Sequence, residues 1–472
     1  MSRAMCHAEE LGSRAASSDV LYPSASGAIY PPPMSMSRRK KPPSDEETSL
    51  LPVLKQVRFQ GWKSFRDATL HIDPLTVLIG ANASGKSNAL DGLQLLHRLS
   101  LGTELEVALS GNESLAPLRG GAEWAVLHGQ TRFTMEVTVQ GEEKHTAYRY
   151  GITIDTDPRV EFRDEWLQRV HRRPSLTSRP NVTELLNAEK VGDNGSNVSV
   201  RFHGRRGYRL GIVGRVPVLG RLTTPLIGGV MPEEVRAGAN TVARALGGIF
   251  VLDPIPSLMR GFSPLAETLR SDAANIAGVL AALPKAEKKN VEAALQRYLR
   301  KLPEREVRKV WAEPVGRFKS DAMLYCEEAW TRKGAPLIID ARGMSDGTLR
   351  LLAIITALLT RPEGSLLVIE EVDNGLHPSR SELLLRTLRE LGEKRRIDVV
   401  VTTHNPALLD ALGPELIPFV TVAHRDPSTG ASVLTLLEEL ATLPKLMAGG
   451  SLGALSARGA IERSLEQEAP TS

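Results

Sequence analysis

A chain of 472 residues, 42% hydrophobic and 24% charged, is long enough for two or three packed units. No apolar run reaches the roughly 18 residues of a membrane span, and the two cysteines, Cys6 and Cys326, exclude a disulfide framework and point to a reducing, cytoplasmic setting. A formal charge of +4 with a pI near 9.0 permits a nucleic-acid partner without requiring one.

Residues 1–48 are rich in Ser, Pro and Met and carry the run Arg38-Arg39-Lys40-Lys41, so they are expected to be a disordered extension. Order is expected from Val53–Phe59, which alternates apolar and polar residues like a half-buried strand. A second alternating stretch runs from Ala68 to Ile72. Leu75–Ile79 is almost continuously apolar, as a strand covered on both faces would be. A helix is expected over Asn88–Leu99. Between about 123 and 166 the period of two returns (Phe133, Met135, Val137, Val139; Tyr148, Tyr150, Ile152, Ile154) and predicts a β-meander. Residues 170–245 show weak periodicity and read as loops around Gly192–Gly195. Helices are predicted near Leu265–Leu283 and Ala286–Leu302, separated by Pro284 and without the sustained heptads of a coiled coil. After residue 335 the pattern is α/β again: helix Leu349–Leu359, strand Leu366–Ile369, helix Arg380–Leu391, strand Asp398–Val401. The expected architecture is therefore an α/β core in two halves, 49–122 and 336–472, split by an inserted β-meander and helical lobe over 123–335.

Gly80-Ala81-Asn82-Ala83-Ser84-Gly85-Lys86-Ser87 fits the phosphate-loop pattern and stands where that chemistry needs it, after a strand and before a helix. Gly80 and Gly85 let backbone N–H groups curl around phosphates, and the following helix adds its positive end. Lys86 is expected on the β- and γ-phosphates and Ser87 on Mg²⁺. Asn82, Ser84 and Asn88 complete the nucleotide-binding set. The strand 366–369 ends in Glu370 and Glu371, which period-2 geometry points in opposite directions. Glu370 is assigned to Mg²⁺ and Glu371 to the general base. His404 follows another buried strand, at the sheet edge where ligands gather, and is expected to contact the γ-phosphate. Ser345, Asp346 and Gly347 open a helix and so present a second anion-binding N-terminus. Because the first site has its own loop, this second one is expected to serve ATP held by another copy of the chain.

This set of motifs resembles the ABC-type ATPases of the RecF, structural-maintenance-of-chromosomes and overcoming-lysogenization-defect group, and the stand-alone bacterial AAA-type ATPases with a RecF-like core. The similarity runs over about 50–460 and rests on Phe59–Phe65, Gly80–Ser87, Leu269–Leu280, Met344–Arg350, Ile369–Pro378 and Thr402–Pro406. The resemblance implies a split P-loop core, ATP and Mg²⁺ as ligands, and a homodimer that sandwiches two ATP molecules. It also implies that Lys63 touches phosphate and that Asp373–His377 communicates between subunits. Val372 and Asp373 stand where the group more often has Pro and Glu, and its Gln-loop residue is left unassigned, with Gln130 as a candidate. The implied output is a switch in DNA repair or in defence against phage and mobile elements, with DNA or a separately encoded nuclease as partner and no membrane association. A transporter subunit is disfavoured because about 260 residues separate the phosphate loop from Ser345. A built-in nuclease is disfavoured because the segment of about 68 residues after His404 shows no paired-acid metal pattern.

Overall fold

The structure is a computed structural model and describes residues 50–172, 179–191, 197–203, 208–210, 215–222, 231–301, 307–332 and 334–468. The extension expected over 1–48 and the loop expected at Gly192–Gly195 lie outside the described residues.

One wide sheet organises residues 50–468. Its strands are β1 (Val53–Trp62), β2 (Phe65–His71), β3 (Leu75–Ile79), β4 (Arg132–Gln140), β5 (Thr146–Asp155), β6 (Glu161–His171), β7 (Asn181–Val191), β8 (Asn197–Phe202) and β9 (Tyr208–Leu210). It is completed by β10 (Ile249–Leu252) and, past the helical lobe, by the strands Leu366–Ile369, Asp398–Thr402, Val420–Arg425 and Ser432–Leu436. The lobe itself carries a smaller sheet of β11 (Ser263–Pro264), β12 (Val307–Val315), β13 (Asp321–Arg332) and β14 (Ala335–Asp340). The last four strands of the large sheet are accordingly β15, β16, β17 and β18. Its order is β10-β15-β16-β3-β17-β18-β2-β1-β4-β5-β6-β7-β8-β9.

From β10 to β17 neighbouring strands run parallel, so their C-terminal ends share one edge. Such strands are buried on both faces. Leu75, Val77 and Ile79 of β3 enter one apolar core and Leu78 the other; Val399 and Val401 of β16 likewise oppose Val400. Beyond β2 the pairing is antiparallel all the way to β9, so the meander continues the core sheet instead of forming a sheet of its own.

Helix α1 (Lys86–Ser100) and helix α2 (Glu233–Gly247) cover one face, α2 lying across β4–β7. The lobe between β10 and β15 holds α3 (Ile276–Ala282) and α4 (Lys285–Leu299) and ends in α5 (Asp346–Thr360), which packs with α6 (Ser381–Arg395) on the other face. β10 falls inside the stretch expected to be inserted, yet it pairs in register with β15, Leu252 beside Ile369, and so belongs to the core sheet. The expected helix 265–283 is restricted to Ile276–Ala282. Asn275 accepts from the Arg270 N–H at 2.9 Å and donates to the Thr268 carbonyl at 2.9 Å, which holds the preceding residues as a turn. The stretch 170–245 contains β7, β8, β9 and α2 instead of loops alone.

Candidate nucleotide site

The loop Gly80–Ser87 leaves the C-terminal end of β3 and enters α1. Gly80 and Gly85 have φ of 139° and 115°, which L side chains rarely adopt. A Cβ on Gly80 would lie 2.1 Å from the Ala423 carbonyl oxygen, and one on Gly85 would lie 2.5 Å from Ser432 Oγ. Lys86 Nζ folds back and donates to the carbonyls of Gly80 (2.7 Å) and Ala81 (2.9 Å). Burial pushes its amine below the ordinary range, opposed by the carboxylates of Glu371, Glu370 and Glu462. Ser84 is buried, and its Oγ has no hydrogen-bond partner. An orphaned hydroxyl inside a ring of N–H groups suits a phosphate oxygen, so the loop fits a nucleoside triphosphate. Asn82 stands exposed at the crest of the loop.

Ser87 Oγ donates to Glu370 Oε1 at 2.5 Å, which brings together the two hard oxygen donors expected for Mg²⁺. Glu370 and Glu371 follow β15. Glu371 takes φ 46° and is held by its N–H on Thr402 Oγ1 at 2.8 Å. Its carboxylate lies 3.8 Å from His404 Nδ1 and 3.4 Å from Asn374 Nδ2, half exposed at the sheet edge. Glu370 bonds Ser87 of α1 while Glu371 lies by His404, yet both follow the end of β15 and line one cavity, so strand alternation does not set their directions.

Arg119 went unnoticed in the sequence. Its guanidinium donates to both Glu370 oxygens (2.9 and 3.1 Å), to Asp91 on α1 (2.8 Å) and to the Ser87 carbonyl (3.0 Å). Burial opposes its charge, but hydrogen bonds and attraction from Asp91 and Glu370 outweigh that and raise its pKa. Lys63, expected on phosphate, instead pairs with Asp91 at 2.5 Å with its side chain 6% exposed. Lys63, Asp91, Arg119 and Glu370 thus form one chain of charges from the β1–β2 turn to the end of β15.

Asp253, just past β10, shares a cavity of about 410 Å³ with Glu370, Glu371, Arg350 and Asn374. Burial raises its pKa, with Arg350 opposing. Gln130 is not at this position. Its side chain packs on Gly61, and it lines a second cavity of about 870 Å³ together with Ser64, Asn88 and Arg425. Asn88 Nδ2 donates to Ser64 Oγ at 2.7 Å.

Ser345 caps α5. Its Oγ accepts from the Thr348 N–H at 3.2 Å and donates to Thr348 Oγ1 at 2.9 Å. Ser345 and Asp346 are exposed, and none of these bonds reaches the phosphate loop. A second residue absent from the sequence reading, Arg260, holds the segment by donating to Asp346 Oδ1 (2.5 Å) and to the Met344 carbonyl (2.6 Å). Gly347 is required by close approach, since a Cβ there would lie 2.8 Å from the Gly375 carbonyl oxygen. The signature segment therefore abuts the Asp373–His377 loop, where Asp373 Oδ1 accepts from buried Thr403 Oγ1 at 2.7 Å.

Residues 75–195 and 329–410 match the family described as "AAA domain, putative AbiEii toxin, Type IV TA system". No curated protein matches the chain. Among solved structures, the chain is similar to the Smc head bound to the C-winged helix domain of ScpA, with TM-score 0.45 and 12% identity over 82% of this chain and 98% of that one. It is also similar to the SMC head domain from Thermotoga maritima, with TM-score 0.39 and 15% identity over 81% and 98%. The two matched segments contain the phosphate loop, Ser345, Glu370, Glu371 and His404, so the similarity to an AAA domain falls on the residues that build this site.

Proposed function

We propose that the protein is an MgATP-dependent ATPase whose reaction centre is completed by a second copy of the chain. The observation that carries this is the exposed N-terminus of α5, capped by Ser345 and bonded within its own turn while the phosphate loop belongs to another part of the core. The positive end of a helix favours phosphate, and in a face-to-face pair it would meet the γ-phosphate held by the other copy's Lys86. Ser87 and Glu370 would hold Mg²⁺, which neutralises phosphate charge. Glu371 takes the proton of the attacking water, and His404 beside it bonds the departing phosphate.

Hydrolysis removes the shared phosphate and separates the pair, so ATP sets the state of a switch. The output is a switch in DNA repair or in defence against phage or mobile elements, and the matched family's description names a putative toxin of a Type IV TA system. A separately encoded nuclease or another nucleic-acid effector would read the paired state, in the cytoplasm. Glu371→Gln keeps shape and removes the base. Turnover should fall about 100-fold or more, and sedimentation with MgATP should show a stable dimer. A monomer carrying bound ATP would overturn the shared-site reading.

A further inference from the structure

Trp124 is 68% exposed, although a tryptophan side chain normally hides its large apolar surface. The segment that presents it is tied down on both sides. Arg119 anchors one end through Asp91 and the Ser87 carbonyl. At the other end the Ala125 carbonyl accepts from the Lys63 N–H (3.0 Å), and the Leu127 N–H donates to the Gly61 carbonyl (2.7 Å). Gly120 and Gly121 take φ of 80° and 57°, and a Cβ on Gly120 would lie 2.5 Å from Trp124 Cβ. A backbone tied at both ends thus presents a mostly exposed indole, with Gly120 against its Cγ–Cδ1 edge.

The indole lines the cavity of about 870 Å³ that begins at Asn88. The loop sets the direction in which a nucleotide must lie. Lys86 and Ser87 face the β- and γ-phosphates, and the N–H groups of the first helical turn reach the α-phosphate. The nucleoside therefore leaves past Asn88 into the cavity that Trp124 walls. Arg425 forms the facing bank, fixed by its Nε on the Ala83 carbonyl at 2.9 Å.

We infer that Trp124 is the stacking platform for the nucleobase of the bound triphosphate. This rests on the loop being a triphosphate site. A π-face accepts any base, so the platform recognises the presence of a base more than its identity.

The test compares equilibrium binding of ATP and of inorganic triphosphate, both with Mg²⁺, to the full chain and to Trp124→Ala, Trp124→Phe and Lys86→Ala. Trp124→Ala should weaken ATP about tenfold or more while leaving inorganic triphosphate unchanged, and Trp124→Phe should restore most of the loss. Trp124 is mostly exposed, so its truncation leaves the core packing unchanged. Unchanged ATP affinity in Trp124→Ala, or an equal loss for both ligands, overturns the platform. Unchanged ATP binding in Lys86→Ala overturns the triphosphate site itself, so the two failures are distinguishable.

Discussion

Arg119 and Mg²⁺ want the same carboxylate. With its guanidinium across both oxygens of Glu370, Arg119 occupies the side of that residue that also faces Ser87. Metal binding must therefore displace it, at a cost limited by its partial exposure. Arg119→Ala should lower the Mg²⁺ concentration needed for half-maximal ATP binding by roughly two- to fivefold, read by titrating Mg²⁺ at fixed ATP. An unchanged midpoint would mean that the pair does not compete with the metal. Lys63, which the resemblance puts on phosphate, lines the cavity beside Asn88 and pairs with Asp91 of α1 at 2.5 Å; burial lowers the amine's pKa while Asp91 opposes that shift. Asp91 left no mark in the sequence, because a single acid in a helix after a phosphate loop has no pattern to announce it.

The meander contains a buried carboxyl with no part in the nucleotide site. Glu165 of β6 is fully buried and accepts from the N–H groups of Val218 (2.6 Å) and Leu219 (2.8 Å) and from the Tyr150 hydroxyl (3.0 Å). Burial pushes its pKa from 4.5 up to about 7, with the two N–H groups, Tyr150 and Arg221 opposing. The folded state thus holds a proton that the unfolded chain has released. Its stabilising contribution is complete below pH 4.5 and is lost as pH rises through about 7. Urea unfolding at pH 5 and pH 8 should show the wild type losing stability, by a few kcal/mol at most, and Glu165→Gln losing distinctly less. Equal losses would remove Glu165 as the cause.

The same region shows what the sequence could and could not reveal. β3 was legible to the residue because both its faces are buried and every position is apolar or Thr. α5 was legible from Ser345 onward because its cap lies next to a long apolar run. β7 was not. Its pairing with β6 is interrupted by a bulge at Leu167/Gln168, and its burial does not alternate. α2 was missed although its buried face, Val235, Ala239, Val242 and Leu246, recurs at helical spacing, with Gly238 sitting against the Tyr148 ring. At the site, the continuous motifs gave the loop, Glu370, Glu371, His404 and Ser345. Arg119, Asp253 and Arg260 were missed because each depends on a partner far away in the chain.

At the scale of the whole molecule, the nucleotide residues belong to two surfaces: the edge where β15, β16 and β3 end, and the capped start of α5. A bulky cation at the second surface should block pairing while leaving the first intact. Ser345→Arg, combined with Glu371→Gln, should bind ATP with near-unchanged affinity and sediment as a monomer; a dimer would show that Ser345 is outside the contact. The two halves of the large sheet meet at a narrow place. β18 and β2 share one register pair, Ser432 with Phe65, reinforced by the Ser432 N–H on the Ser64 carbonyl (2.7 Å) and the two serine hydroxyls (2.8 Å). The cavity walled by Trp124 straddles this joint, with Lys63 and Ser64 on one bank and Arg425 and Ala431 on the other. A ligand that fills it would touch both halves of the sheet at once, across the place where they share least backbone pairing.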